Sequence, residues 1–185
     1  YYGWFDLERF KNHIKELFSK NDREGFYSWS GLRYFLYEYE LYLQDNANMK
    51  VSWEDFNKRK KEDTIEHIYP QSPNDIYWKN RFGHLKPSEK RQYLNSLGNL
   101  LLLNRSKNSK LQNYDFDKKK CLLNKDGKEI GYYNGSYSEI EVSKHKEWTP
   151  DEIKKRGLLM LQFMEERWKF SFDNWNISKE DILFP

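Results

Sequence analysis

Apolar side chains recur at helical spacing in the first third of the chain. Trp4, Leu7, Phe10, Ile14, Leu17 and Phe18 fall on one side of a 3.6-residue repeat over residues 4–18, which predicts an amphipathic helix with one buried stripe. Leu32, Phe35, Leu36, Tyr39 and Leu43 repeat the pattern over residues 29–43. The polar run Asn21-Asp22-Arg23-Glu24-Gly25 between them reads as a turn. Two antiparallel helices are the simple expectation.

The pattern then changes. Thr64-Ile65-Glu66-His67-Ile68-Tyr69 is rich in β-branched and aromatic residues and stops at Pro70, which predicts a short strand. Residues 72–86 read as loop. Pro87-Ser88-Glu89-Lys90 starts a short helix that ends at Gly98. The apolar run over residues 100–103 is too short for a helix and reads as a buried strand. Asn104 is placed to cap a helix containing Asn108. The order is therefore strand, excursion, strand, helix. Downstream, Thr149-Pro150-Asp151-Glu152 combines a cap residue, Pro at the first helical position and Glu three after the cap, and a helix follows through Ile153, Met160, Leu161, Met164 and Trp168. Ser178-Lys179-Glu180-Asp181 predicts one more short helical turn, and the Tyr- and Gly-rich residues 127–146 read as loop.

Composition narrows this picture. At 185 residues the chain makes one domain, or one with a small extension, and aromatic residues at 18% supply much of its core. Charged residues at 33% make the surface very polar. No apolar run approaches the roughly 18 residues of a membrane span, and no secretory signal is visible, so a cytoplasmic protein with no membrane partner is expected. The single Cys121 excludes an internal disulfide and a Cys-cluster zinc site, in keeping with a reducing compartment. The first residue is Tyr1 rather than Met, so a fragment of a longer protein is expected. Net charge is only +3. Its distribution says more: residues 105–120 carry six cations against two acids, and Lys58-Arg59-Lys60-Lys61 form a second cluster. Taken alone, either run reads as a solvated face.

The candidate chemistry lies in two motifs. A lone Glu66-His67 pair means little, since most histidines are structural. Residues 98–108 add a strand and then a helix whose first turns carry Asn. His on one strand, a second strand, then Asn on a helix is the layout of a ββα-metal nuclease site. The remaining histidines, His13, His84 and His145, lack close Cys or His partners and make no zinc site.

At these residues the sequence resembles the HNH (His-Me finger) superfamily, and within it the C-terminal nuclease domain of GmrSD-type restriction endonucleases. Phosphorothioate-sensing antiphage nucleases of the SspE type share the arrangement. The resemblance is carried by Ile65-Glu66-His67-Ile68-Tyr69-Pro70-Gln71, by Leu97-Gly98-Asn99-Leu100, by Asn108, and by Asn113 followed by Phe116 and Lys119. The segment over residues 32–40 resembles the lead-in to such domains, so the likeness spans about residues 29–170. The core motif also resembles the HNH domain of RNA-guided CRISPR nucleases. There an acid-His-Ile run precedes an Asn, with a second Asn nine residues later; Asn99 and Asn108 stand at that separation.

The resemblance implies an α+β fold, a mainly helical domain enclosing a small ββα-metal core. Residues 1–60 would form a helical N-terminal subregion, 61–125 the nuclease core and 126–185 a C-terminal helical subregion packed on it. It implies a metal-dependent DNA endonuclease of a restriction or antiphage system. His67 would be the general base, and one divalent ion, Mg²⁺ or Mn²⁺, would rest on the oxygen ligands Glu66 and Asn108. Asn99 would tie the loop near His67 by side-chain hydrogen bonds. Asn113 would support the segment after the helix, and Arg105, Lys107, Lys110 and Lys119 would meet DNA phosphates. A ParB-like nucleotide-dependent N-terminal domain, in cis or in trans, is the implied partner. The acid here is Glu where the CRISPR nucleases carry Asp. Glu66 and His67 also point to opposite faces of a regular strand. Both serve one site only if the strand ends or bends there; otherwise Glu66 lies outside the metal's direct ligands. Two other readings stay open: a DNA-binding or regulatory module inactive by itself, and a helical interaction domain with no nucleic-acid role.

Overall fold

The structure, a computed structural model, describes residues 6–20, 24–45 and 51–185. Trp4 of the first expected helix, and Asn21, Asp22 and Arg23 of the expected turn, lie outside the described residues. The chain runs α1 (Leu7–Ser19), α2 (Leu32–Leu43), α3 (Trp53–Glu62), β1 (Asp63–His67), α4 (Ile76–Phe82), α5 (Pro87–Asn95), β2 (Leu100–Asn104), α6 (Arg105–Leu111), α7 (Phe116–Lys120), α8 (Tyr137–Ser143), α9 (Pro150–Trp168) and α10 (Lys179–Leu183). Short 3₁₀ turns at Gly25–Ser28 and Leu97–Asn99 precede α2 and β2. The fold is α+β: mostly helix around one two-stranded antiparallel sheet.

Local chemistry explains most of the element ends. The side chains of Asp6, Asp75, Asn104 and Asp115 each accept a backbone N–H in the first turn of the helix that follows. Thr149 and Glu152 form the reciprocal cap anticipated for α9. Two segments read as loop are helical instead. In α4 the first turn is capped by Asp75, and Trp78 and Phe82, four apart, are both buried. In α8 a capping box pairs Ser136 with Glu139, and Glu40, reaching from α2, accepts from the N–H groups of Tyr137 and Ser138. A distant carboxylate thus satisfies two of the orphan donors of α8.

In the sheet, Thr64 lies opposite Leu103, Glu66 opposite Leu101 and His67 opposite Leu100. The leucines of β2 alternate in destination. Leu100 and Leu102 pack into a core with Leu7, Ile14, Phe35 and Met160. Leu101 and Leu103 pack into a second core with Trp78, Phe116, Tyr132 and Trp148. The small sheet is therefore a wall between two hydrophobic clusters, and its period of two sorts side chains between them. At Gly98 the backbone passes so close to α9 that a Cβ would overlap the carbonyl oxygen of Ile153. Arg156 of α9 completes the contact by donating to the Gly98 and Leu100 carbonyls at 2.9 Å each.

Candidate active site

Cross-strand partners share a face, so the destinations of the β2 leucines fix those of β1. His67 lies on the Leu100 side and Glu66 on the Leu101 side. The strand is regular to its last residue, and the two side chains meet different neighbours.

His67 is 6% exposed. Its Nε2 stands 3.2 Å from Oδ1 of Asn95, the last residue of α5. Tyr27, in the 3₁₀ turn before α2, places its ring 4.6 Å from the imidazole. Burial is the main cause that lowers the His67 pKa to about 4; the Asn95 contact opposes the shift and the Lys119 charge adds to it. The ring is neutral at pH 7 and has the protonation state a base requires.

Glu66 meets a buried cation. Lys119 of α7 is 0% exposed, and its Nζ donates to Glu66 Oε1 at 2.6 Å and to the carbonyls of His67 and Ile68 at 3.0 and 3.1 Å. The Tyr132 hydroxyl donates to the same Oε1 at 3.1 Å. All three ammonium donors are satisfied by the end of β1. Burial pushes the Glu66 carboxyl up from its usual value, against the opposing pull of Lys119 and Tyr132.

Asn99 is fully buried and clamps the chain after β1. Its Oδ1 accepts from the Tyr69 N–H at 2.8 Å and from Trp148 Nε1 at 3.1 Å, and its Nδ2 donates to the carbonyls of Tyr69 and Leu94 at 3.0 and 2.9 Å. Asn108 is on α6, on the Glu66 side of the wall, and its Nδ2 donates to Thr64 Oγ1 at 2.8 Å. Asn113 is exposed in the turn after α6.

The expected DNA cations divide. Arg105 and Lys110 are exposed on α6. Lys107 is turned inward, donating to Glu139 at 2.5 Å and to the Gly131 and Asn134 carbonyls at 3.2 and 3.0 Å. The expectation that Lys119 meets a phosphate is corrected, because its ammonium is enclosed and fully bonded within the domain.

The family model for GmrSD restriction endonucleases, C-terminal domain, matches residues 11–163, most of the chain. The chain belongs to this family. No curated protein and no solved structure matches it. The GmrSD family match covers both strands, α6 and α7, and so every residue placed above.

Nucleases of this kind commonly need a divalent metal. The donor set expected for it here does not fit. Glu66 is already neutralised by an ammonium at 2.6 Å, and a cation placed on the same oxygen would be repelled by it. Among the described residues no group of three or more His, Cys, Asp or Glu side chains is positioned to hold a metal. The amide of Asn108 donates to Thr64, two residues before Glu66 on the same strand face.

Sequence reasoning missed three members of this site. Asn95 closes α5 beside His67, Tyr27 covers the imidazole, and Tyr132 reads as loop although it is buried on Glu66. One signal was legible for Lys119. It stands three after the buried Phe116, on the same side of a five-residue helix, where a cation demands a buried partner.

Proposed function

We propose that this domain is the nuclease of a restriction or antiphage system, an HNH-type enzyme that hydrolyses DNA phosphodiester bonds with His67 as the general base. The observation that carries this reading is the His67 environment within a family of restriction endonucleases: a neutral imidazole held at one nitrogen by Asn95. With Asn95 Oδ1 accepting, Nε2 carries the ring proton and Nδ1 keeps its lone pair. Nδ1 takes a proton from water, the water oxygen bonds to phosphorus, and the P–O bond to the leaving oxygen breaks as that oxygen takes a proton from solvent. Asn99 holds the chain that follows His67, and Arg105 and Lys110 meet flanking phosphates. A divalent ion such as Mg²⁺ or Mn²⁺ belongs to this reading as a requirement of the assay; Glu66 and Asn108, which lie across the sheet from His67, are withdrawn as its ligands. A ParB-like nucleotide-dependent domain, in cis or in trans, is the proposed partner.

Plasmid cleavage tests the reading, with modified and unmodified DNA, with Mn²⁺, Mg²⁺ or EDTA. His67→Ala should lose about 10²–10⁴ of the rate, the usual contribution of a positioned base, while its circular dichroism and melting curve persist. Undiminished cutting by the folded His67→Ala protein sinks the base assignment.

The cover over His67 favours a second reading, a DNA-binding module that is silent until a partner moves the Gly25–Ser28 turn. DNA binding without cleavage by the isolated chain, and cleavage once the partner domain is added, would select it.

A further inference from the structure

A surface cavity of about 270 Å³ lies between the end of α1 and the first turns of α5, lined by Phe18, Ser19, Ser88, Arg91 and Gln92. Four of these side chains have evident duties or none that needs a ligand. Phe18 packs edge-on against Phe26 and fills the space beside Gly25. The Ser19 hydroxyl donates to the Glu16 carbonyl, Gln92 donates to the Pro185 carbonyl, and Ser88 is exposed. Arg91 differs. It is half-buried, and it makes no hydrogen bond or ion pair among the described residues. A guanidinium that surrenders solvent without a carboxylate partner is ready for an anion, and its planar fork suits a phosphate.

Position supplies the second observation. Arg91 precedes Asn95 by four residues on α5, so both project from one face of that helix. Asn95 is the residue that holds His67. The opposite wall leads to the same place, since Phe18 abuts Gly25 in the turn that lays Tyr27 over the imidazole. The cavity and the His67 ring are therefore both flanked by α5 and by the Gly25–Ser28 turn or the side chain packed on it.

We propose that this cavity is a DNA-backbone subsite in which Arg91 grips a phosphate next to the one that His67 attacks. The inference rests on the nuclease reading above. Four residues of helix rise about 6 Å, and a DNA strand advances about 3.4 Å per nucleotide. The gripped phosphate is one or two nucleotides from the scissile one.

The test uses a short fluorescent duplex and the uncleaving His67→Ala chain, with anisotropy read across a salt series. Adding Arg91→Gln should weaken binding about tenfold and lower the slope of log Kd against log salt by about one. Arg91→Lys should recover part of the affinity, since the charge survives and the fork does not. A neutral methylphosphonate placed singly along the strand should weaken the parent at one linkage, one or two steps from the cut, and leave the Arg91→Gln protein indifferent there. If the parent binds and Arg91→Gln changes neither Kd nor slope while melting normally, the subsite is overturned and the nuclease reading stands. If the parent binds no DNA even at low salt, the nuclease reading fails and the subsite fails with it.

Discussion

A histidine that stays neutral by burial ties its chemistry to the stability of the fold. The His67 pKa of about 4 lies below the ordinary 6.5 because the charged ring would be desolvated. Below pH 6.5 the unfolded chain takes up a proton that the native ring refuses, so native stability falls as pH drops, and the loss is complete near pH 4. A shift of this size corresponds to about 3 kcal/mol at its low-pH limit. Urea melts between pH 4 and 7 should show a wild-type slope that His67→Gln lacks. A wild-type-minus-variant difference that stays flat across that window would remove burial as the cause. The acid limb of kcat/KM should move with it, lying well below that of an unperturbed histidine. Glu66, one residue earlier, shows the opposite arrangement, a carboxylate kept near a buried ammonium. The sequence pair Glu-His reads as one site, and the strand's period of two makes it two environments.

At the scale of elements, α7 is the instructive case. Five residues are too few for a helix to persist by itself, and Lys119 fastens this one to the end of β1 through three hydrogen bonds. Lys119→Met should cost about 3–5 kcal/mol, because it leaves Glu66 buried without its countercharge. The double variant Glu66→Gln/Lys119→Met should recover much of that loss in urea denaturation, and a double variant no more stable than the single one would show that packing of α7 matters more than charge. Elements of this kind mark the limit of sequence legibility. The helices α1, α2 and α9, the strands and the Asn104 cap follow from periodicity and local caps, which act within a few residues. The helices α4 and α8 have local caps as well, at Asp75 and at Ser136 with Glu139, but what anchors them is distant in the chain: the cluster that buries Trp78, and the Glu40 carboxylate at the start of α8. Asn99 and its loop were legible through their motif, whereas Asn95 and Tyr27 reach His67 only through tertiary packing.

Across the whole molecule the sheet divides the apolar mass, and the fold takes up most of the positive charge of residues 105–120. Of the six cations in residues 105–120, Lys107, Lys119 and Lys120 point inward to carboxylates or carbonyls, and Lys118 lies 3.4 Å from Asp115. Arg105 and Lys110 are left exposed and without an ion pair among the described residues. A run that reads as a basic patch in sequence therefore presents two free charges to a ligand. Each phosphate neutralised contributes about 0.9 to the dependence of log affinity on log salt. The segment should supply a slope near two, where a count of its cations predicts more than five. Removing both charges in Arg105→Ala/Lys110→Ala should lower the measured slope by about two and weaken binding equally for all sequences, since phosphate contacts carry no base information. Lys107→Ala, in contrast, should reduce melting temperature and leave the slope unchanged, because its charge is already spent on Glu139 inside the domain. A slope that falls with Lys107→Ala, at an unchanged melting temperature, would mean that this ammonium leaves Glu139 for DNA.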